Sequence, residues 1–575
     1  MLKQRLLRYA LGFALTIVFI LHAGGHFPIP FIKALENQAY DFRLRLGLPE
    51  KVDKKVVIID IDEKSLEAIG QWPWDRNVIA KIVDNLFDYY KVNVVGFDIV
   101  FAEKDEDPSD QIIEDIARSS LASSAEFQNI YARAQTTLHR DQQLARSLKD
   151  RNTVLGIVFD QLDTSLKKGK LPETISEFTP EIIAGFPSLT RAAGYTANID
   201  ILQKHALTGG YFDNPLLDDD GVFRRVPLLQ VYNDRIYQSL ALAVTRASMG
   251  NTDLRIGIST LDEASNQKSL EFIYIGDIAI PVDESSAVLV PYIGKQGSFD
   301  YISATDVLNK TLPADAITNK IALFGASAAG LLDLRTTPLQ AAYPGVEVHA
   351  NIIQGILDQT VKHKPEYIMG FEIILLFVFG LVLTFILPTL SPLWSSLSLT
   401  AALVLIFYIN TMAWNNMQIV LPMASPLLLI VSLYILNMTY GFFVESRGKR
   451  QLTHLFGQYV PPELVDEMSK NLTKINLDGE IRQMTVLFTD VRNFTTISEN
   501  MEPKELTKFI NSFLTPLTQV IHQNRGTIDK YMGDAIMAFW GAPLEDSQHA
   551  RHALTAGIEM LKATQTMREE FSKLG

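Results

Sequence analysis

The sequence predicts a multidomain membrane protein, with an α/β domain on the outer side, four transmembrane helices and an α+β domain in the cytoplasm. Three observations support this fold class. The 575 residues are too many for one compact core. Charged residues, 20% of the chain, are nearly absent from a few long apolar segments. Strand and helix patterns alternate through the long stretch between the first two apolar segments.

Composition excludes several classes of function. The chain carries 65 acidic and 52 basic side chains, for a net charge of −13. Non-specific nucleic-acid binding needs a basic surface that displaces counterions, so no nucleic-acid partner is expected. The chain has no cysteine. Disulfides, thiolate zinc sites and thiol nucleophiles are therefore excluded.

The first transmembrane helix is predicted within residues 1–24, where the run YALGFALTIVFILHAGG follows the basic KQRLLR. A cleaved signal peptide is the alternative interpretation. Residues 366–443 are again almost free of charge and have room for helices two to four, broken at Pro388 and Pro392 and at WNNMQ. Buried helices of a large soluble core are the other interpretation of these runs. The only acidic residue between Tyr367 and Phe443 is Glu372.

Charge predicts the orientation of the four helices. The basic cluster Arg447–Arg450 follows the last helix, and arginines precede the first. By the positive-inside rule both termini lie in the cytoplasm, and four crossings satisfy this parity. The expected localisation is a multi-pass protein of the cell membrane, with residues 25–365 outside and the lipid bilayer as a partner.

Residues 25–365 are predicted to form an α/β domain with a largely parallel sheet. KKVVIIDIDEKSL, VNVVGFDIVF, TVLGIVFD and KIALFGAS are strand patterns, and amphipathic helices are expected at Ile79–Tyr90 and Gln142–Lys149. A more β-rich insert is expected between about Ala193 and Pro291.

Few side chains of this outer domain point to chemistry. Asp60, Asp62 and Asp98 follow strands, at the edge where open α/β sheets bind ligands. Helix caps and turn formers are the alternative. LDDDG at Leu217–Gly221 is expected to be a tight turn, and His349 a structural histidine. We assign no catalytic role in this half.

After a predicted cytoplasmic linker at residues 444–482, residues 483–575 show an α+β pattern. RQMTVLFTD is a strand pattern that ends at Asp490. A helix is expected from Glu502 to Asn524, closed by Gly526 as its C-cap. GTIDKYMGDAIMAFWGAP predicts a β-hairpin with Met532-Gly533 at the turn and Asp534 just after it. If the two strands are neighbours, the two aspartates come together.

Two carboxylates beside a helix start suit a nucleoside triphosphate with Mg²⁺. The aspartates can hold the ions, and the amides of about Arg492–Thr495 can bind phosphate. Each aspartate alone is more often a cap or a turn former. Only the two together, with the hairpin, indicate a nucleotide site.

The outer half resembles a known family. The segments IDEKSLEAIGQWPWDR, VNVVGFDIVF, DDDGVFRRVPL, KIALFGASAAGLLDLRTTPL and PGVEVHANIIQGIL are similar to the extracellular CHASE2 sensor domain. The order of one helix, the domain and three further helices matches that family's layout. The resemblance implies a sensor with an extracytoplasmic ligand or protein partner, but it names no ligand and no binding residue.

The cytoplasmic part resembles the catalytic domain of class III adenylate and guanylate cyclases. VLFTDVRNFT and DKYMGDAIMAFWG carry the resemblance, and FGQYVPPELVDEM is similar to the segment that precedes this domain in bacterial members. It implies a ferredoxin-like α+β fold and a homodimer. The implied reaction is the conversion of ATP to 3′,5′-cyclic AMP and pyrophosphate.

The resemblance also implies roles for particular residues. Asp490 and Asp534 are the expected catalytic residues and ligands of two Mg²⁺ or Mn²⁺ ions, with Val491 giving a backbone carbonyl. The expected substrate-binding residues are Lys530, at the position that contacts adenine in adenylate cyclases, and Asn493, Phe494 and Thr495, around the start of the phosphate loop. A lysine rather than a glutamate at position 530 favours ATP over GTP.

Only the N-terminal half of a cyclase domain is expected before Gly575, because the later strands of the family are missing from these residues. A chain ending there is predicted to turn over ATP negligibly. Three other interpretations stay open. The chain is a receptor with a catalytically silent cyclase-like dimerisation module, a guanylate cyclase, or a protein whose outer domain is itself an enzyme.

Overall fold

A computed structural model describes residues 2–49, 51–105, 139–161, 167–175, 178–262, 267–328, 334–441 and 481–574, with a few residues between 113 and 131. These residues form two compact units. One unit contains residues 13–383 and 396–431, and the other contains residues 1–12, 384–395 and 432–575. Apart from its last two residues, the predicted linker at 444–482 lies outside the described residues.

The first 441 residues contain a large α/β domain and four apolar helices. The helices in the described ranges are α1 Leu2–Ala23, α2 Pro30–Leu46, α3 Glu63–Ile69, α4 Arg76–Asp84, α5 Arg140–Leu148, α6 Pro180–Ala184, α7 Asp200–His205, α8 Leu240–Ser248, α9 Ala304–Asn309, α10 Gly345–Leu357, α11 Tyr367–Ile386, α12 Pro392–Met412 and α13 Ala424–Tyr440. The strands are β1 Val56–Ile61, β2 Val94–Phe97, β3 Thr153–Asp160, β4 Lys167–Lys168, β5 Gly194–Thr196, β6 Thr208–Tyr211, β7 Arg225–Pro227, β8 Leu229–Tyr232, β9 Arg235–Gln238, β10 Leu254–Asp262, β11 Gln267–Ile275, β12 Ile278–Pro281, β13 Ala287–Leu289, β14 Asp300–Ser303, β15 Ile321–Ala326, β16 Leu334–Arg335 and β17 Tyr343–Pro344.

The predicted parallel sheet is confirmed. Its strand order is β14-β1-β15-β2-β3-β5-β4, with β6 also paired to β3, and all these pairs are parallel except β3 with β5. Every residue of β1 is buried. Val56 and Ile58 belong to one core cluster, and Val57 and Ile59 belong to another. The sheet is therefore covered on both faces, which explains why its strands lack apolar-polar alternation.

Two predicted elements differ in extent. The helix expected at Ile79–Tyr90 begins at Arg76 and continues as a π-helix over Asn85–Tyr89. The strand expected over the ten residues VNVVGFDIVF is shorter and consists only of β2, because the backbone after β2 crosses β3 at Gly156. A Cβ at this glycine would lie 2.5 Å from the carbonyl oxygen of Phe97. Glycine therefore permits the crossing.

The expected β-rich region between residues 193 and 291 is confirmed. It contains β5 to β13, including the antiparallel sheet β10-β11-β12 and the hairpin β8-β9. Helix α8 also lies in this region, and eight of its nine residues are buried. A Cβ at Gly210 on β6 would lie 2.7 Å from the backbone of Leu240 at the start of this helix. The close packing of α8 on the sheet thus depends on that glycine.

Three of the four apolar helices are long enough to cross a membrane. These candidate spans are Leu6–Ala23, Tyr367–Thr389 and Pro392–Met417, while Ala424–Tyr440 is shorter, at 17 residues. At 1.5 Å per residue the 17 described residues of this α-helix measure about 26 Å, somewhat less than a hydrocarbon core of about 30 Å. Four full spans were predicted, so the described residues establish only three candidates.

Helix α2, for which no prediction was made, is joined to the α/β domain by a buried ion pair. The carboxylate of Asp41 accepts hydrogen bonds from Nε and Nη2 of Arg224, at 2.7 and 3.0 Å. Asp218 and Asp220, in the predicted tight turn LDDDG, accept from the same guanidinium group. Burial opposes the positive charge of Arg224, but these hydrogen bonds outweigh burial and raise its pKa.

The same helix also contacts the apolar hairpin formed by α12 and α13. Arg43 donates a hydrogen bond of 2.8 Å to the side-chain oxygen of Asn410. The carboxylate of Glu36 accepts from the backbone N–H groups of Met423 and Ala424, at 2.9 and 2.7 Å. Helix α2 is therefore fixed by charged groups to two different structural elements.

Residues 481–574 form an antiparallel sheet covered on one face by two helices. The elements are β18 Thr485–Thr489, α14 Phe494–Ser498, α15 Pro503–Gln523, β19 Thr527–Met532, β20 Ala535–Trp540 and α16 His549–Phe571, and the strand order is β18-β20-β19. The core between helices and sheet contains Leu517, Ile521, Ile536 and Trp540. The predicted helix and hairpin are confirmed, within one residue at each helix end.

The C-terminus of α15 corrects one prediction. Arg525, not Gly526, takes the left-handed conformation, with φ of 63°. Gly526 is instead required by close packing, because a Cβ there would lie 2.6 Å from both Ile521 and Trp540. Its N–H donates to the carbonyl of Ile521, which closes the helix.

Candidate active site

The two aspartates predicted from the sequence come together at one backbone amide. Asp490 follows the last residue of β18, and Asp534 lies in the turn between β19 and β20. The register pairs Thr489 with Ile536, which brings the end of β18 to this turn. The N–H of Val491 lies within hydrogen-bonding distance of both carboxylates, 2.9 Å from Oδ1 of Asp490 and 3.1 Å from Oδ2 of Asp534.

Lys530 projects from the face of the sheet that the helices leave uncovered. The pairing of β19 with β20 shifts register between Ile528 and Lys530, which places a β-bulge at Asp529. Ile528 is thus buried opposite Ala538, whereas Lys530 pairs with Met537 on the other face. The side chain of Lys530 is 59% exposed, and its Nζ lies 3.2 Å from the carboxylate of Asp529.

The segment after Val491 bends sharply into a single turn of helix. Asn493 is exposed, with φ of 61°, and precedes α14. Phe494 is half-buried, and its N–H donates to the carbonyl of Val491 at 3.3 Å. Thr495 is exposed. The carbonyl predicted to bind metal therefore already accepts one hydrogen bond, and it keeps a second lone pair.

The two aspartates fit a hard divalent cation in chemistry. Carboxylate oxygens are the ligands that Mg²⁺ prefers, and Mg²⁺ commonly binds through one or two carboxylates while substrate phosphates and water complete its octahedron. In the described ranges neither carboxylate has an ion-pair partner within 4 Å. No group of three or more His, Asp or Glu side chains with metal-binding geometry occurs in those ranges.

The two aspartates near the end of β1, in the α/β domain, differ in their hydrogen bonds and in their pKa shifts. Asp62 caps α3 by accepting from the N–H of Ser65 at 2.8 Å, and it also accepts from Ser303. Burial opposes ionisation of Asp62, but these hydrogen bonds outweigh it and lower the pKa. Asp60 is buried, and its Oδ1 has no hydrogen-bond partner in the described chain. Burial raises the pKa of Asp60 to about 6, although Ser327 donates to it at 2.5 Å.

Asp98 follows β2 and His349 lies in α10, and their side chains are near each other. Nε2 of His349 is 3.9 Å from the carboxylate of Asp98. Burial, with a smaller effect of Arg335, lowers the pKa of His349 to about 4, so the imidazole is neutral at pH 7. The contact is therefore not an ion pair at neutral pH.

The raised pKa of Asp60 predicts a pH dependence of stability. The folded state binds this proton more tightly than the unfolded chain, so its stabilising contribution is present at about pH 4 and is lost as pH rises through 6. The loss should be about 2 kcal/mol. Hydrogen exchange of the most protected β1 amides, corrected for intrinsic rates at pH 4.5 and 7, measures it.

The variant Asp60→Asn should remove about 2 kcal/mol of the pH dependence, because an amide does not titrate. Asp213, whose pKa burial also raises to about 6, should keep its own contribution. Asp253→Asn is the matched control, since Asp253 is exposed and should leave the pH profile unchanged. An unchanged profile in Asp60→Asn would show that other groups cause the dependence.

Comparison with protein-family models identifies two segments of the chain. Residues 13–386, more than half of the chain, match the model of the CHASE2 domain. The chain belongs to the CHASE2 family. Residues 478–574 match the model described as the adenylate and guanylate cyclase catalytic domain. A class III cyclase domain thus follows the CHASE2 domain, as the sequence motifs predicted.

Two curated adenylate cyclases are similar to a short segment of this chain. Adenylate cyclase 1 of Rhizobium meliloti is 35% identical over 112 residues, which cover 19% of this chain and 16% of that relative. The adenylate cyclase of Anabaena cylindrica is 35% identical over 119 residues, which cover 20% of this chain and 23% of that relative. The matched segment thus spans less than a quarter of each of these two curated relatives.

Solved cyclase structures are similar over the same part. The adenylyl cyclase CyaB from P. aeruginosa is 34% identical, with 16% of this chain and 49% of that chain covered and a TM-score of 0.16. The guanylyl cyclase Cya2 is 36% identical, with 17% and 50% covered and a TM-score of 0.16.

Proposed function

We propose that this chain forms part of a membrane receptor adenylate cyclase, which converts ATP to 3′,5′-cyclic AMP and pyrophosphate under the control of an extracytoplasmic CHASE2 domain. The convergence of Asp490 and Asp534 on the amide of Val491 is the observation that carries the proposal. The two curated adenylate cyclases that match this part of the chain support the choice of reaction.

The residues of the proposed site have separate roles in binding the metal ions and in orienting the substrate. Asp490, Asp534 and the carbonyl of Val491 would hold two Mg²⁺ or Mn²⁺ ions, which when bound would lower the pKa of the ribose 3′-hydroxyl and neutralise triphosphate charge. Asn493, Phe494 and Thr495 contact the phosphates. The 3′-oxygen forms a bond to the α-phosphorus as pyrophosphate leaves, and the 3′ proton is released to water. The hydrogen bonds to Val491 fix the two carboxylates before substrate arrives.

Lys530 supplies the preference for adenine. Its exposed ammonium donates to N1 of adenine, which is a hydrogen-bond acceptor, whereas N1 of guanine carries a proton. Replacing it by glutamate, which accepts, should shift the cyclic AMP to cyclic GMP product ratio at least about tenfold toward cyclic GMP. Product analysis from equimolar ATP and GTP measures the ratio.

The control for this substitution is Lys504→Glu. Lys504 is an exposed lysine in the first turn of α15, so the same charge change there should leave the ratio unchanged. A ratio that is equally unaffected by Lys530→Glu would contradict the assignment of Lys530 to the base.

In the membrane, we propose four spans, with both termini cytoplasmic and the α/β domain outside, and a homodimer as the active form.

The absence of cysteine allows a clean test of this topology by single substitutions. Cysteine introduced at Lys295 should react with a membrane-impermeant maleimide in intact cells. Cysteine at Glu545 should react only after permeabilisation, and equal labelling of both sites in intact cells would contradict the topology.

A further inference from the structure

A large cavity lies where the α/β domain meets the apolar helices. Its volume is about 700 Å³, within the range of small-molecule sites. Its walls come from the end of α1, from α2, from the β-rich region, from the segment Lys362–Lys364 and from the starts of α11 and α13. A second cavity of about 320 Å³ adjoins it and shares several of these walls.

One wall carries the carboxylate of Glu372. This residue is the only acidic side chain in the apolar helices α11 to α13, and it lines both cavities. A carboxylate placed in an apolar helix is costly and commonly serves as the counter-ion of a ligand. Ser425 at the start of α13 is its hydrogen-bond partner, and no cation lies within 4 Å of it in the described chain.

The same cavities are lined by positive and polar groups that are not satisfied within the described chain. Lys364 is exposed and forms no ion pair there, although it is near enough to Glu372 to interact electrostatically. Nε2 of His363 is buried without a hydrogen-bond partner. Glu284 has only a 3.5 Å contact with Ser188. Other charges of the walls are paired, such as Lys33 with Asp219 and Arg225 with Asp283.

The unsatisfied groups therefore have both signs. A phosphate suits Lys364 and His363, and an ammonium group suits Glu372 and Glu284. The ammonium should be primary, because carboxylates and a serine hydroxyl accept N–H hydrogen bonds, whereas quaternary ammonium groups are recognised by several aromatic rings. Tyr40 is the only Phe, Tyr or Trp among the residues that line the two cavities.

We propose that this juxtamembrane cavity binds a phosphoethanolamine group, with its phosphate at His363 and Lys364 and its primary ammonium at Glu372 and Glu284. Apolar wall residues such as Ile29, Val282 and Pro422 fit the glycerol and first acyl carbons of a phospholipid. The group is supplied either by phosphatidylethanolamine or by a soluble phosphoethanolamine ester.

The proposal rests on the proposed membrane insertion but not on cyclase chemistry, so binding is measured directly. The full chain in detergent is titrated with phosphatidylethanolamine, phosphatidylcholine and phosphatidylglycerol, and bound lipid is counted by native mass spectrometry. Phosphatidylethanolamine should bind at least about tenfold more tightly than the other two. Equal affinity for all three lipids would overturn the proposal whether or not the protein makes cyclic AMP.

Variants locate the site. Glu372→Gln should remove the preference for phosphatidylethanolamine, and Glu284→Gln should weaken it. Lys364→Gln should weaken the binding of all three lipids about equally, because all three carry the phosphate. Glu173→Gln and Lys295→Gln are the matched controls, since both residues are exposed and neither lines the cavities, and they should keep the preference. If Glu372→Gln does not fold, Glu284→Gln tests the preference and Lys364→Gln tests the phosphate contact. A folded Lys364→Gln variant that binds phosphatidylethanolamine as tightly as the parent protein would overturn the proposal.

Soluble O-phosphoethanolamine distinguishes the two sources. If it competes with the lipid, the headgroup alone supplies the binding energy and a soluble ester is a sufficient ligand. If it does not compete while the preference and the variant effects hold, the ligand is the intact phospholipid. Inorganic phosphate, which lacks the ammonium group, should compete at least about tenfold less well than O-phosphoethanolamine in the first case.

Discussion

Replacing Asp534 by asparagine is expected to reduce cyclic nucleotide formation at least about a thousandfold, or about 4 kcal/mol in transition-state stabilisation. The asparagine oxygen can still accept the N–H of Val491, so the local backbone should keep its conformation. What is lost is one negative charge beside Asp490, and with it the affinity for the divalent ions that neutralise the triphosphate. Initial rates at saturating Mg²⁺, on a polypeptide that includes the whole catalytic domain, measure the effect.

The matched control is Glu545→Gln. This exposed carboxylate lies after β20, outside the proposed site, so its variant should retain the parental rate. Thermal midpoints of both variants should equal that of the parent protein, because Asp534 is only half-buried. An Asp534→Asn variant with more than about a tenth of parental activity would show that this carboxylate does not bind the catalytic ions.

Replacing Arg224 by methionine is expected to destabilise the α/β domain by about 3–5 kcal/mol. The substitution fills a similar volume but leaves Asp41, which is only 9% exposed, without its cationic partner. Asp218 and Asp220 would also repel Asp41 and each other once the guanidinium is removed. The thermal midpoint of the full chain in detergent and the hydrogen exchange of amides in α2 together measure this loss of stability.

Two further variants separate charge pairing from packing. Arg235→Met removes an exposed arginine of β9 and should change stability by less than about 0.5 kcal/mol. Combining Asp41→Asn with Arg224→Met should be less destabilising than the sum of the single changes, because the buried charge is then also removed. Additive losses would mean that Arg224 stabilises the fold mainly through packing.

Most of the fold could be predicted from local patterns. The uninterrupted apolar strands, such as β1 and β15, indicate a sheet buried on both faces, and the structure shows one. The ion pair between Asp41 and Arg224 could not be predicted, because 183 residues separate its members and the segment DDDGVFRRVPL, which contains Arg224, gives no indication of its partner. Helix α2 was not predicted either, because its position depends on contacts with residues that are far away in the sequence.

The candidate site was predicted in part. The positions of Asp490 and Asp534 at a strand end and a hairpin turn follow from the sequence pattern, and the structure places them together. The bulge at Asp529 was not predicted. Simple alternation would place Ile528 and Lys530 on one face, and only the register with β20 shows that they lie on opposite faces. The local signal of this irregularity is Lys530, because regular alternation from Ile528 would place its charged side chain on the buried face of the sheet.

The central claim is that Asp490 and Asp534 support an adenylate cyclase reaction. Its most direct test is the identification of products from equimolar ATP and GTP with Mg²⁺ or Mn²⁺, with the complete catalytic domain and with its Asp534→Asn variant as the baseline. We predict cyclic AMP in excess over cyclic GMP, reduced to baseline in the variant. Neither product from a folded, dimeric protein would contradict the claim and favour a receptor with a silent cyclase-like module.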